Sequence, residues 1–250
     1  MKISLLTLTY NEERSVKAFL DHYSFCDEIV VYDNLSTDST VSEIKKYRPD
    51  AKIISFDTGN LIDNRKFLEI KNNAWKGTDA DWQIVVDFDE YLYNPMVEDS
   101  IPYYLSLGIN RKWTLIPTVG FDMHSDNFSN THPPEISDAS FSYMYGKIAI
   151  FNPKKIKDIN YHIGCHQCDP VGEISITTPH LFLLHYRYFG FEDWQRRNRE
   201  YLKRVGDIPG AFHYRLQNET IKTAEDYRQE FESNRMDLSC LFNLKGHRNK

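Results

Sequence analysis

The run Asp81-Trp82-Gln83-Ile84-Val85-Val86-Asp87-Phe88-Asp89-Glu90 sets an apolar stretch directly before three closely spaced carboxylates. Such a stretch reads as a buried strand whose end opens into a loop. Carboxylates held together repel one another and are costly to keep ionised unless a cation joins them. A hard divalent cation with oxygen ligands is the natural partner, and such an ion often carries a phosphorylated substrate.

The residues before this run alternate between strand and helix patterns. Residues 3–8 read as a strand, followed by an amphipathic helix with Glu12 and Glu13 in its first turn and Val16, Phe19, Leu20 and Tyr23 on one face. Glu28 to Tyr32 reads as a second strand, and Ser36 or Thr37 as the cap of a helix that ends at Pro49-Asp50. Lys52 to Phe56 follows as a third strand, residues 62–76 as a helix and 83–88 as a fourth strand. This order implies an α/β, Rossmann-type fold: a mostly parallel sheet flanked by helices. In such sheets ligands bind beyond the carboxyl ends of the strands. Thr9-Tyr10-Asn11-Glu12, Asp33-Asn34 and Asp87-Phe88-Asp89 would then converge on one edge.

Beyond residue 95 the pattern loosens. Residues 113–116, 147–151 and 181–186 read as strands, and 122–139, rich in Asp, Asn, Ser, His and Pro, as a long loop. The tail reads as helical, with Phe191, Trp194, Tyr201 and Val205 on one face and Tyr227, Phe231, Leu238, Leu241 and Phe242 on another. The expected organisation is one domain over 1–190, split into halves at 95, with 191–250 as a helical extension packed on it. At 250 residues and 41% hydrophobic content the chain can bury one substantial core. A net charge of −6 argues against nucleic acid as a partner. With no apolar run of the roughly 20 residues a membrane span needs, and no signal-peptide pattern at Met1, the expectation is a cytoplasmic protein. His162, Cys165, His166 and Cys168 lack the second separated ligand pair that structural zinc usually takes.

Three segments, T-L-T-Y-N-E-E at 7–13, V-V-Y-D-N-L-S-T-D-S-T at 30–40 and K-N-N-A-W-K-G-T-D-A-D-W-Q-I-V-V-D-F-D-E at 71–90, resemble the family-2 glycosyltransferases, which have a GT-A fold. The resemblance covers residues 2–95 well and reaches loosely to H-Y-R-Y at 185–188. It implies a nucleoside-diphosphate sugar as donor and a glycan, glycolipid or other hydroxyl as acceptor. Asp87 and Asp89 would hold Mn²⁺ or Mg²⁺ and, through it, the diphosphate. His185, ending an apolar strand, stands about where many such enzymes draw a further metal ligand. Asp33 would contact the nucleobase, or else turn the chain with Asn34. Thr9, Tyr10 and Glu12 would line the nucleoside pocket, with Asn11 an alternative helix cap. Lys71, standing where the family often has Arg, would offset the diphosphate charge, Arg65 being the other basic candidate.

Inverting transfer needs a base to take the acceptor proton. No plain acidic pair marks it here, and Asp122, His166 and Asp169 remain as candidates. Arg196, Arg199 and Lys203 share a helix face that suits either an anionic membrane surface or water. An aspartate-dependent phosphatase is disfavoured by Tyr91, where Thr or Val is needed, and a Ca²⁺ loop by Tyr91 and Leu92. A nucleotidyltransferase lacks its glycine-rich basic loop. A non-catalytic nucleotide-sugar-binding module is the remaining rival.

Overall fold

A computed structural model of the chain describes residues 1–95, 100–125, 136–205, 215–216, 219–232 and 235–239. Strands β1 (Ile3–Thr9), β2 (Glu28–Asp33), β3 (Lys52–Ser55) and β4 (Trp82–Val85) lie in the order β3-β2-β1-β4, all parallel. Helices α1 (Val16–His22), α2 (Thr40–Tyr47) and α3 (Asn64–Asn73) make the crossovers. Strand side chains alternate between faces, so Leu5 and Ile84 join one apolar cluster with Phe19 and Tyr23, while Leu6 and Val85 join another with Trp75 and Phe151. The α/β class and the parallel sheet of the first half are those the sequence implies. Because β1 sits between β2 and β4, its carboxyl end is where the strand order reverses, the usual crevice of such folds.

Two helices begin later than their polar residues suggest. Asn11 takes a left-handed conformation (φ 54). It is not a helix cap; its side-chain oxygen accepts from Thr37 N at 2.8 Å and its backbone N–H donates to Ser36 Oγ at 2.9 Å. Glu12 N donates to Thr40 Oγ1 and Ser39 N to Glu13 Oε2. These groups stitch the loop after β1 to the loop after β2. Glu12 and Glu13 therefore precede α1, and Ser39, not Ser36 or Thr37, is the N-cap of α2.

The further strands are β5 (Glu90–Tyr93), β6 (Leu115–Ser125), β7 (Asp138–Phe141), β8 (Ile148–Phe151), β9 (Ile156–Asp158), β10 (Val171–Gly172), β11 (Leu181–Phe189) and β12 (Arg235–Asp237), with helix α4 (Ile101–Asn110) between β5 and β6. The second half extends the sheet mostly by antiparallel pairings, with β11 parallel to β6, and sets β9 against β10 in a separate two-stranded sheet. β8 pairs with β4 and β6, and β7 with β6. Thus 122–125, read as loop, continue β6, since Asp122 and Met123 pair with Ser140 and Ala139; residues 126–135 of that loop lie outside the described residues. β12 falls in the segment read as helical and pairs with β7, whereas α5 (Phe191–Arg204) and the helix Ala224–Glu232 are helical as expected. Leu241 and Phe242 lie outside the described residues. No described helix is long and apolar enough to cross a membrane.

β11 lies between β5 and β6, and its register sets His185 opposite Glu90 on one side and Asp122 on the other. Gly120 lets β6 touch the 142–146 turn, since a Cβ there would stand 2.3 Å from Ser142 O. Glu90 is 1% exposed, and Lys147 Nζ reaches its two oxygens at 2.6 and 2.8 Å. Glu90 also accepts from Asp87 N at 2.8 Å, so this ion pair anchors the acidic loop from below. Removing one partner of a buried pair leaves the other uncompensated, at about 3–5 kcal/mol. Lys147→Met is expected to lose about that much stability in urea unfolding, and Lys147→Met with Glu90→Leu to recover most of it.

Candidate active site

The ends of β1, β2 and β4 meet as the sequence implies. Asp33 pairs in register with Thr9 and is buried, its carboxylate accepting from Ser36 N at 3.1 and 3.3 Å. The turn role weighed for Asp33 is thus realised, at a position facing the same edge. Thr9 Oγ1 is buried without a hydrogen-bond partner. Tyr10 donates to Asn60 Oδ1 at 3.2 Å.

The three carboxylates after β4 turn to four cations, none of them shared between two of the three. Lys71, buried on α3, holds Asp87 Oδ1 at 2.5 Å. Burial works against both charges, yet the mutual attraction raises the lysine's pKa and lowers the aspartate's. Asp89 Oδ2 lies 3.4 Å from His185 Nε2 and 3.7 Å from Arg197 Nη1, and these cations hold it ionised despite burial. Glu90 takes Lys147. Asn72, beside Lys71, exchanges hydrogen bonds with the Tyr161 backbone at 2.7 and 3.2 Å and so fixes α3 against the 161–169 hairpin.

His185 stands between two acids. An ionised carboxylate can only accept, so Nδ1–H donates to Asp122 Oδ1, at 2.7 Å, and Nε2 faces Asp89. The Tyr145 ring stacks on the imidazole at 4.0 Å. Asp122 is therefore committed to orienting His185. Asp169 pairs with His162 at 2.9 Å on an exposed part of the hairpin, and His166 donates through Nδ1 to Met144 O at 2.7 Å. Among the described residues no group of three or more His, Cys, Asp and Glu side chains gathers closely enough to hold a metal ion. The protein offers the facing pair Asp89 and His185, with Asp122 behind the imidazole in the way that carboxylates orient metal-bound histidines. Mg²⁺ and its analogues are often held by one or two protein ligands together with substrate phosphates and water, and this donor pair fits that pattern.

The residues that sequence reading missed lie on α5. The helix crosses the sheet edge and closes a cleft of about 190 Å³ lined by Tyr10, Glu12, Asp89, Arg187, Arg196, Arg197, Tyr201 and Arg204, among others. Arg197 bonds Glu12 Oε2 at 3.2 Å and Asp193 Oδ2 at 3.0 Å. Burial pushes Glu12 up to about 6, with Arg197 opposing. Arg204 is 7% exposed; its guanidinium lies 3.4 Å from the Tyr10 ring centroid, Nε donates to Asn60 O, and Nη2 is buried with no hydrogen-bond partner. Of the face considered earlier, Arg196 turns to Asp193, Arg199 to Gln195 O and Lys203 to Glu200. The signal for Arg197 and Arg204 was their spacing with Tyr201 at helical intervals.

Burial works against charge on His185, but Asp89 and Asp122 outweigh it and raise its pKa from 6.5 to about 10. Stability from this imidazolium is full below its unfolded value and is lost as pH rises through the folded one. His185→Asn is expected to cost about 3 kcal/mol near pH 6 and progressively less toward about pH 10, as measured by urea unfolding of both proteins across that range.

No family model matches the chain. Two curated relatives, the poly(ribitol-phosphate) beta-N-acetylglucosaminyltransferases TarS of Staphylococcus aureus strains Mu50 and MW2, are each 27% identical over 111 residues, 41% of this chain. The chain spans 19% of the length of these relatives. Among solved structures, TarS 1–349 in complex with UDP aligns at a TM-score of 0.43 with 16% identity, covering 86% of this chain and 68% of that one. Glucosyl-3-phosphoglycerate synthase from Mycobacterium tuberculosis, with Mn²⁺, UDP and glucosyl-3-phosphoglycerate, aligns at 0.31 with 20% identity over 48% of this chain and 44% of that one. Over 41% of its length the chain is thus similar to a named glycosyltransferase.

Proposed function

We propose that this chain is a cytoplasmic glycosyltransferase that moves a sugar from a nucleoside-diphosphate sugar to an acceptor hydroxyl, with inversion, in glycan or polysaccharide synthesis. Residues 1–95 and α5 hold the donor, and residues 96–190 present the acceptor. The observation that carries this reading is the Arg204 guanidinium, buried in the cleft at the strand ends with one nitrogen unpaired. A buried charge with an unused donor is costly unless an anion completes it. A diphosphate lying between Arg204 and Arg197 supplies that anion, and the nucleoside then extends over Tyr10 toward Asp33.

Asp89 and His185 would hold a Mn²⁺ or Mg²⁺ beside the diphosphate. When bound, the ion offsets negative charge on the leaving group. Arg197 and Arg204 do the same from fixed positions, so they are worth most in the transition state, where that charge grows. Lys71 acts one layer further in. It keeps Asp87 ionised, and that pairing also speaks against Asp87 as the free nucleophile of a phosphatase. Asp122 holds the His185 ring so that Nε2 faces the diphosphate side.

UDP, the nucleotide held by the similar solved structures, is the first probe to test. In a thermal-shift experiment with Mn²⁺, UDP at a hundredfold excess over its Kd is expected to stabilise the protein by about 2.7 kcal/mol. Asp89→Ala should abolish the metal-dependent part of that shift. Losing a hydrogen bond to a charged group costs about 1.5–3 kcal/mol, so Arg204→Met should weaken UDP binding about 10- to 100-fold. Release of UDP from UDP-GlcNAc or UDP-glucose separates an enzyme from a binding module. Tight UDP binding with no turnover of any nucleotide sugar would contradict the transferase reading.

A further inference from the structure

His166, on the 161–169 hairpin, lies across Tyr145 from Asp89 and His185. The Tyr145 ring that stacks on His185 at 4.0 Å meets His166 edge-on at 5.5 Å, so the three rings form a continuous row from Asp89 outward. Met144 O can only accept, so the hydrogen bond at 2.7 Å fixes the proton on His166 Nδ1. Nε2 is left as the lone-pair nitrogen of a partly exposed ring. The backbone is shaped around that nitrogen. Gly164 (φ +84) packs on the ring, and a Cβ there would stand 2.8 Å from His166 Cδ2 and 3.0 Å from Nε2. Cys165, immediately before His166, is itself left-handed (φ 58). The hairpin is closed by His162 N–H to Gln167 O at 2.9 Å and held to α3 by Asn72, the neighbour of Lys71.

The two competing acids are already occupied: Asp122 by His185, and Asp169 by His162. We infer that His166 Nε2 is the base that takes the proton from the acceptor hydroxyl, an imidazole doing the work that a carboxylate would do. This rests on the transferase reading above. In the step, the acceptor O–H gives its proton to Nε2 while its oxygen bonds to the anomeric carbon. The bond from that carbon to the diphosphate oxygen breaks, and its electron pair leaves with the nucleoside diphosphate. The imidazolium then returns the proton to water.

The surroundings favour the neutral, accepting form. Partial burial lowers the pKa of His166, and Lys147 lowers it further, while the hydrogen bond to Met144 O and the charges of Glu90 and Asp87 pull the other way. The remaining titratable groups around it are the Tyr145 phenol and the Cys165 and Cys168 thiols, which burial keeps protonated.

Two measurements test the assignment. Two-dimensional ¹H–¹⁵N spectra of the histidine rings are expected to show His166 neutral at pH 7 with the proton on Nδ1; a proton on Nε2 would overturn the proposal. The second uses His166→Asn, whose amide keeps a donor near the Nδ1 position but removes the base. With UDP-GlcNAc, Mn²⁺ and water as acceptor, the variant is expected to release UDP about 10²- to 10⁴-fold more slowly at unchanged UDP affinity. It should also lose the acid limb that the wild-type rate shows below an ordinary imidazole pKa. A rate within threefold of wild type, or a parallel loss of UDP affinity, would overturn the role of His166 alone. A wild type that binds no UDP would overturn the transferase reading and this proposal with it.

Discussion

Three carboxylates within four residues at the end of a buried strand cannot stay ionised unaided, and the fold is arranged around their neutralisation. Asp87 is met by Lys71 from α3, Asp89 by His185 from β11 and Arg197 from α5, and Glu90 by Lys147 from just before β8. Each cation comes from a different part of the chain. The acidic loop is therefore the point at which the parallel half, the antiparallel half and the C-terminal helix are tied together.

This arrangement grades the three acids by their access to a ligand. Glu90 and Lys147 are sealed in the interior and bond each other fully, which makes them structural. Asp87 is held by a buried lysine but keeps a partly exposed side chain. Asp89 has the longest contacts, 3.4 and 3.7 Å, and is the acid that lines the cleft. Long contacts in a low-dielectric cleft are the ones an incoming cation or diphosphate can most readily replace. The same logic applies to α5, where Arg197 spends its charge on Glu12, Asp89 and Asp193 while Arg204 keeps a nitrogen in reserve.

The parallel half was legible because its signals are local. Alternating apolar runs, caps and Pro49-Asp50 mark β1 to β4, and the polar ends Thr9–Glu12, Asp33 and Asp87–Asp89 fall where strand geometry puts them. What local signals could not supply was register and facing. Asp122 read as a loop acid and candidate base, and its pairing with His185 exists only because β11 runs parallel to β6 in one register. Glu90 gave no sign of its burial, since Lys147 stands 57 residues away. On α5 every polar face is basic somewhere, so periodicity alone could not choose between the face bearing Arg199 and the one bearing Arg197, Tyr201 and Arg204. Asn11, Ser36 and Thr37 looked like caps because their side chains are cap-formers; here the same hydrogen-bonding capacity joins two loops instead.

The central claim is that the acids after β4 and the arginines of α5 form one donor site. A crystal structure of the protein grown with UDP and Mn²⁺ tests it most directly. The predicted result is the diphosphate between Asp89 and the guanidinium groups of Arg197 and Arg204, with the uracil over the Tyr10 side of the crevice near Asp33. UDP bound elsewhere, or a diphosphate that leaves the Arg204 nitrogen unpaired, would contradict it.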